Sequence, residues 1–454
     1  MKVFIKTYGC QMNVRDSEAL AGMLTEAGHT VVAREADADV MIFNTCSVRE
    51  QAERKAIGKI EFMKKYKKFK PDLVIGAIGC MAQNRGEELL EKIPHLDFVL
   101  GTGKLHLLVE TVEKVRAERR RFADLAQSEA VLNAMGKHFH RDGERPHNGY
   151  IAITRGCNRF CAYCIVPYVR GREISRAASD IVAEAKMLAA SGVREVMLLG
   201  QNVAAYGWGG NVNPPPDDVS PFADLLEAVA AIDGIRRIRF TSPYPTYFNA
   251  KLIRSMAEQP KVCRNVHLPL QSGSARILKA MNRQYTPERY REIVAGLKAA
   301  MPEITFSTDV IVGFPGETEE DFQATRDLMN EVGFDQAYIF KYSPRPGTKA
   351  AQRADDVPQN VKEERNQILL ADLEKRCIAA NLACVGKTLE VMYDGVSPRN
   401  RERFAGRTST GKTVVFAPRE GLKPGDLTEV FIERAGRVTL FGPGLIAPDE
   451  ELLP

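Results

Sequence analysis

The sequence predicts an α/β protein in three parts: an N-terminal parallel α/β domain, a partial or full (β/α) barrel, and a small C-terminal all-β barrel. Three observations predict it. Short apolar runs alternate with amphipathic helical stretches from residue 3 to about 340, the pattern that builds parallel sheets with right-handed crossovers. The alternation breaks once, over 116–148, where a charge run (Arg116, Glu118, Arg119, Arg120, Arg121) leads into a polar stretch ending near Pro146. After about residue 382 the helical period gives way to short β-type runs divided by Asp394-Gly395, Pro424-Gly425 and Ala435-Gly436, as in a small all-β domain.

In the N-terminal part a strand over Val3–Tyr8 precedes a helix whose apolar face is Leu20, Met23, Leu24 and Ala27, with Asn13 placed to cap it. The unit recurs as strand Val40–Asn44 with helix face Ala56, Ile57, Ile60 and Met63, then as strand Leu73–Ile78 with helix face Leu89, Leu90 and Ile93. The stretch 116–148 reads as a linker, and His138, His140 and His147 as part of a solvated loop. From 149, runs at Ile151–Thr154, Val196–Leu199, Ile238–Thr241, Val266–Leu270, Thr308–Val312 and Ala337–Phe340 alternate with helical segments. Six such units predict a parallel barrel with its chemistry at the C-terminal strand ends. A charged helix over about 360–382 leads to β runs at Leu389–Tyr393, Lys412–Phe416 and Leu427–Ile432. The expected domains are therefore 1–115, a linker 116–148, 149–382 and 383–446.

A chain of 454 residues, 44% apolar and 27% charged, is neither fibrous nor disordered. No apolar run approaches the 18 or so residues that cross a bilayer, and the first residues lack a signal-peptide core. A soluble cytoplasmic protein with no membrane partner is expected. The net charge of +5 is compatible with a polyanionic partner without identifying one. Nine cysteines in such a chain point away from disulfides, because the cytosol keeps thiols reduced, and toward metal binding or catalysis.

The strongest signal is Cys157-Asn-Arg-Phe-Cys161-Ala-Tyr-Cys164, directly after the first barrel strand. Three thiolates at this spacing can hold three irons of a 4Fe-4S cube, and with no fourth Cys at ferredoxin spacing one iron stays open. A structural zinc site would want a fourth ligand nearby. A second group is less obvious. Cys10, Cys46 and Cys80 lie 36 and 34 residues apart, but each ends one of the three predicted N-terminal strands. In a parallel sheet those ends share one edge, where ligands of open α/β sheets bind, so three thiolates can converge on a second cluster. Gly9 and Gly79 beside them would let backbone approach a bulky cofactor. Cys263, Cys377 and Cys384 share no such pattern.

The Cys157–Cys164 run, with Tyr163 before its last Cys, resembles the signature of the radical S-adenosylmethionine (SAM) enzymes. The resemblance implies that the open iron chelates the amino and carboxylate groups of SAM and that one electron cleaves it to a 5'-deoxyadenosyl radical, chemistry that side chains alone do not supply. The whole plan, from about residue 2 to 443, resembles the methylthiotransferase family: a cluster domain, a radical-SAM barrel and a C-terminal RNA-binding TRAM-like barrel. It is most similar to the tRNA branch acting on N6-dimethylallyladenosine, through Tyr8-Gly9-Cys10-Gln11-Met12-Asn13, Asn44-Thr45-Cys46-Ser47-Val48-Arg49-Glu50, Leu198-Leu199-Gly200-Gln201-Asn202 and His267-Leu268-Pro269-Leu270-Gln271-Ser272-Gly273. Thr241-Ser242-Pro243-Tyr244-Pro245 departs from the branch's Ser-His-Pro form.

What the resemblance implies is specific. Two 4Fe-4S clusters and SAM are expected, on Cys10, Cys46 and Cys80 and on Cys157, Cys161 and Cys164. One SAM would methylate a sulfur at the first cluster while a second supplies the radical that takes hydrogen from C2 of an adenine, with both clusters facing one cavity for proximity. Tyr163, Gly200 and Gln201 are expected at SAM, with Gly313, Pro315, Gly316 and Glu317 either shaping its adenosyl pocket or making a turn. Arg401, Arg403, Arg407 and Lys412, in a loop over 399–412 with one acid, Glu402, are expected to bind tRNA, since guanidinium groups suit phosphates and splayed bases. An electron donor such as a flavodoxin or ferredoxin and a sulfur-delivery protein are expected partners. Rival readings are a threonylcarbamoyladenosine tRNA or a ribosomal-protein aspartate as substrate, and an RNA-binding iron-sulfur sensor without turnover.

Overall fold

The computed structural model describes residues 1–47, 50–134, 136, 138, 147–209 and 215–443, apart from the side chains of residues 50, 133 and 134. Val48 and Arg49 of the second motif, His140, Pro146 and the end of the predicted C-terminal barrel beyond 443 lie outside the described residues. The chain divides into two compact units: one of Met1–Asp142, Thr154–Phe160 and Cys164–Arg176, the other of Gly143–Ile153, Cys161–Tyr163 and Ala177–Pro454. The units cut across the linear boundaries. Ile165 and Val169 pack with Cys80 in a small apolar cluster of the first unit, so the segment after the signature belongs largely with the N-terminal sheet.

The first unit runs β1 (Lys2–Tyr8), α1 (Gln11–Glu26), β2 (Thr30–Val31), β3 (Val40–Thr45), α2 (Glu50–Phe62), α3 (Lys64–Phe69), β4 (Val74–Gly79), α4 (Cys80–Lys92), β5 (Phe98–Leu100), α5 (Leu108–Glu118), β6 (Phe122–Asp124) and α6 (Ala130–Ala134). Six parallel strands pair in the order β2-β1-β3-β4-β5-β6. Every residue of β3 and β4 is buried, as expected of strands covered by helices on both faces. One face packs on Leu20, Leu24, Leu108 and Val112 and the other on Ala56, Ile60, Met63 and Leu89. β2, β5 and β6 are two or three residues long, too short to show a period in sequence. Residues 122–124, expected as linker, pair with β5 as an edge strand.

The chain continues as β7 (Asn148–Ala152), β8 (Thr154–Arg155), α7 (Val166–Arg170), β9 (Ile174–Ser175), α8 (Ala178–Ala190), β10 (Glu195–Leu199), α9 (Pro221–Ala230), β11 (Arg237–Phe240), α10 (Ala250–Glu258), β12 (Asn265–His267), α11 (Ala275–Ala280), α12 (Pro287–Ala300), β13 (Thr305–Val312), α13 (Glu319–Val332) and β14 (Gln336–Lys341). In the second unit all six predicted barrel strands are present as two parallel sheets, β11-β10-β7 and β12-β13-β14, linked by one bridge between Ile238 and Val262. This is an open, partial barrel: β7 and β14 do not pair. Val196, Leu198, Ile238, Val266 and Val310 join the helices in one core, while Glu195, Arg239, Ser307 and Asp309 alternate with them on the opposite face, as strand period demands.

Helix α13 begins with a capping box. The Thr318 side chain accepts from Asp321 N–H at 3.3 Å, and Thr318 N–H donates to the Asp321 carboxylate at 2.9 Å. The same carboxylate accepts from Ser274, the N-cap of α11, at 2.5 Å and from Arg276. Although burial opposes ionisation, Arg276, Ser274 and Thr318 lower the Asp321 carboxyl to about 2.

After α14 (Gln359–Leu382) come β15 (Thr388–Val396), β16 (Phe404–Thr408), β17 (Thr413–Phe416), β18 (Leu427–Phe431), β19 (Arg434–Ala435) and β20 (Thr439–Phe441). They form one mixed sheet in the order β18-β15-β16-β17-β20-β19 around Val391, Tyr393, Phe416, Val430 and Leu440. The expected loop over 399–412 is different in kind, because 404–408 is strand β16. Arg407 turns inward: it bonds Asp394 at 2.8 Å and Glu195 at 3.1 Å. Lys412 donates to Asn381 at 3.0 Å and lies 3.5 Å from Asp335. The carbonyls of Arg407 and Thr408 accept from Arg237 and Arg239, at 2.5 and 2.9 Å. The turn therefore packs against the N-terminal ends of β10 and β11, and Arg407 and Lys412 are ion-pair partners within this unit. His147 likewise is no solvated-loop residue: it is 1% exposed and bonds Asp394 at 3.0 Å.

Two predictions follow from these contacts. Arg407→Ala leaves the buried Glu195 and Asp394 carboxylates short of a cation, and a loss of about 3 kcal/mol is expected in chemical denaturation, with little effect from Arg401→Ala. Asp321→Ala should cost about 1–2 kcal/mol. Because the folded carboxyl is lowered, that contribution is complete above its ordinary value and fades as pH falls toward 2, so the wild-type advantage should shrink over that window in pH-dependent melts.

Candidate metal centres

The N-terminal site follows from register. Tyr8 pairs with Thr45, and Thr45 with Gly79, so β1, β3 and β4 end in one row and Cys10, Cys46 and Cys80 follow within two residues of it. The strand order reverses between β1 and β3, the crevice where open α/β sheets bind ligands. The sulfurs converge. Cys46 hydrogen-bonds the Cys10 thiolate, and this contact, against burial but with Arg170 and the N–H groups of Asn13 and Met12, lowers the Cys10 thiol to about 5. Those N–H groups open α1, where a helix start favours thiolate. Burial raises the Cys80 thiol, and the Arg170 charge opposes it.

Two asparagines lock the loops. Asn13, expected as a helix cap, is buried instead and donates to Asn44 Oδ1 at 2.9 Å and to the Thr45 carbonyl at 3.2 Å. Asn44 returns bonds to the Asn13 carbonyl at 2.8 Å and to Ser17 at 2.9 Å. The N-cap position falls to Cys10. This network also explains the glycines: a Cβ on Gly9 would sit 2.5 Å from Asn13 Oδ1, and one on Gly79, at φ +92°, 2.5 Å from Asn44 Oδ1. They make room for the asparagines, where the sequence pointed to a cofactor.

Beside Cys80 lies a buried charge group that sequence reading missed. Arg170, the last residue of α7, donates Nε to Cys80 Sγ at 3.2 Å and Nη2 to Asp16 at 2.9 Å. Arg155 stands 3.8 Å from the same carboxylate and donates to the Thr102 carbonyl. Two guanidiniums share one carboxylate, and Arg170 Nη1 is buried without a partner. Its signal was available, as Arg170 follows the signature by six residues, but nothing in the sequence ties it to Asp16 and Cys80.

The signature cysteines occupy the loop between β8 and α7. Gly156 opens it at φ +78°, and a Cβ there would run into the Arg172 carbonyl; Cys157 N–H bonds the Gly171 carbonyl at 3.2 Å. Phe160 holds a left-handed φ of 46° and meets Tyr168 edge-on at 5.8 Å. In the second unit, Cys161 Sγ accepts from Arg283 Nη1 at 3.3 Å. Arg283 lies over Tyr244 and Tyr285, 4.3 and 5.0 Å from their centroids, so Tyr244, in the stretch that departs from the branch pattern, positions it. Tyr163 packs against the cluster of Ala162, Ile277 and Phe314. Gly200 is buried and Gln201 half-buried just after β10. Gly313 N–H donates to the Glu317 carboxylate at 2.5 Å, which Arg365 also binds at 2.9 Å; that motif is a braced turn. Arg401 is exposed and Arg403 half-exposed.

The donor types of the two cysteine sets suit an iron-sulfur cluster. Both donor sets are three thiols, soft ligands that suit iron-sulfur clusters, and each has a guanidinium donating to one sulfur. Among the described residues no group of three or more His, Cys, Asp or Glu is arranged around a single metal ion, whereas a cubane takes one thiolate per iron and needs no common point.

Comparison with known proteins identifies relatives of this chain. Residues 2–101 match the model of uncharacterized protein family UPF0004, and residues 151–329 that of the Radical SAM superfamily. A tRNA-2-methylthio-N(6)-dimethylallyladenosine synthase of Opitutus terrae is 46% identical over 98% of both chains, and one of Akkermansia muciniphila 45% identical over 97% of this chain and 98% of that one. The fold resembles the radical SAM methyltransferase TsrM of Kitasatospora setae, at a TM-score of 0.58 and 14% identity, over 77% of this chain and 74% of that one. With two curated relatives aligned almost end to end, the chain belongs to the tRNA-2-methylthio-N(6)-dimethylallyladenosine synthase family of radical SAM methylthiotransferases.

Proposed function

We propose that this protein adds a methylthio group to C2 of N6-dimethylallyladenosine in the tRNA anticodon loop, with one 4Fe-4S cluster on Cys157, Cys161 and Cys164 and a second on Cys10, Cys46 and Cys80. The observation that carries the reading is the convergence of Cys10, Cys46 and Cys80 at a strand-order reversal, in a chain whose relatives are named for this reaction. A cluster of the first kind, when bound, supplies the electron that opens SAM to a carbon-centred radical; C2 of an adenine offers no acidic proton, so a side-chain base cannot replace it.

This chain's residues have three tasks in that reaction. The Cys46 hydrogen bond and the Arg170 charge, against burial, lower the Cys10 thiol and so favour the thiolate, the form that ligates. The Asn13–Asn44 bonds hold two cysteine loops at fixed separation, the kind of preorganised support that metal ligands require. Arg283, held between Tyr244 and Tyr285, fixes the Cys161 sulfur. Gly200, Gln201 and Tyr163 are proposed at SAM, and an electron donor and a sulfur-delivery protein as partners. For tRNA, Arg401 and Arg403, with the neighbouring exposed Arg399, are proposed as the principal contact, since Arg407 and Lys412 also bind acids and amides of their own unit.

The deciding experiment is anaerobic. The protein is reconstituted with iron and sulfide, iron is counted, and dithionite, SAM and prenylated tRNA are added before mass analysis of digested nucleosides. About eight irons per chain and a new methylthio-adenosine are expected; about four irons with SAM cleavage and no modified nucleoside would defeat the two-cluster reading. Cys157→Ala should abolish SAM cleavage, and Cys10→Ala should retain cleavage while losing methylthio transfer. Equal loss of cleavage would contradict the division of labour. Replacing Arg399, Arg401 and Arg403 by Ala should weaken tRNA binding and reduce its salt slope; an unchanged slope in filter binding places the RNA surface elsewhere.

A further inference from the structure

We infer that Arg170 and Asp16 form a charge pair that sets the reduction potential of the cluster proposed on Cys10, Cys46 and Cys80, making Arg170 a positioning and tuning residue of that centre. The inference rests on the two-cluster reading and goes beyond it. Its observations are geometric. The Arg170 side chain is 3% exposed, its Nε donates to Cys80 Sγ at 3.2 Å, and its Nη2 is held by Asp16 at 2.9 Å. Asp16 is 1% exposed and serves Arg155 as well, at 3.8 Å. Among these three groups there are two positive charges and one negative, all buried within the unit that carries the three thiols.

A buried excess charge is costly unless something of opposite sign sits beside it. Thiolates around a cluster would be that partner, with Arg170 Nε already on Cys80 Sγ and its Nη1 buried without a hydrogen-bond partner. Reducing such a cluster adds one electron and therefore one negative charge, with no bond broken. A guanidinium hydrogen-bonded to a ligand sulfur favours the reduced form, since N–H···S bonds and nearby charge are among the main controls of cluster potential. Asp16 acts in the opposite sense and also aims the fork. The two residues thus pull the potential in opposite directions from one site.

The test uses the full chain with Cys157, Cys161 and Cys164 all changed to Ala, so that one cluster remains, reconstituted anaerobically and titrated with dithionite while the reduced-cluster EPR signal is followed. About four irons per chain are expected in this background; absence of any cluster there defeats the two-cluster reading itself. Given that cluster, Arg170→Gln should move the midpoint to more negative potential, Asp16→Asn should move it to more positive potential, and Arg170→Lys, which keeps the charge, should fall between Arg170→Gln and the parent. A merely structural pair would not produce shifts of opposite sign. Unmoved midpoints in both variants at full iron content overturn the inference. Loss of iron from Arg170→Lys and Asp16→Asn alike overturns it too, making the pair a packing element.

Discussion

The in-register pairing of β1, β3 and β4, with Tyr8, Thr45 and Gly79 in one row, turns cysteines 36 and 34 residues apart into neighbours. A parallel sheet fixes the separation of its strand ends through its own ladder, so the precision of the sulfur triad is inherited from backbone hydrogen bonds. The side chains then refine it. Asn13 and Asn44 tie the first two cysteine loops together, and the positive φ of Gly79 admits the Asn44 amide where any Cβ would collide.

Cys80 and Cys161 meet a similar electrostatic device by different means. At Cys80 a guanidinium is shared between sulfur and a carboxylate; at Cys161 it is shared between sulfur and two aromatic rings. Arg suits both places because it stays charged when buried and offers its donors in a fixed fork. A thiol next to such a donor is stabilised as the thiolate. The difference is the counter-charge: Asp16 offsets part of the positive field at Cys80, while the rings of Tyr244 and Tyr285 carry no net charge.

The C-terminal sheet illustrates how charge pattern misleads when topology is unknown. Five basic residues and one acid between 399 and 412 read as an RNA-binding loop, yet the acids that answer Arg407 and Lys412 lie on distant elements, as Glu195 and Asp335. A local charge count does not see partners 212 and 77 residues away. Of the five basic residues, Arg399 and Arg401 are the exposed ones.

The sequence by itself determined the strand and helix alternation, the six strands of the open barrel and the family, because these depend on periodicity, local spacing and contiguous motifs. Even the nonlocal triad was legible, since strand ends of a parallel sheet share an edge whatever the loops between them do. It did not determine the short strands β2, β5 and β6, which exist only because longer neighbours offer free edges, nor the real task of Asn13. The charge partners were decided by tertiary structure alone: Arg170 with Asp16, Arg283 with Cys161 and Arg407 with Glu195 lie 154, 122 and 212 residues apart. The physical reason is that a buried guanidinium is stable only where folding delivers an opposite charge, a soft acceptor or an aromatic face, and no local pattern encodes which distant residue that will be.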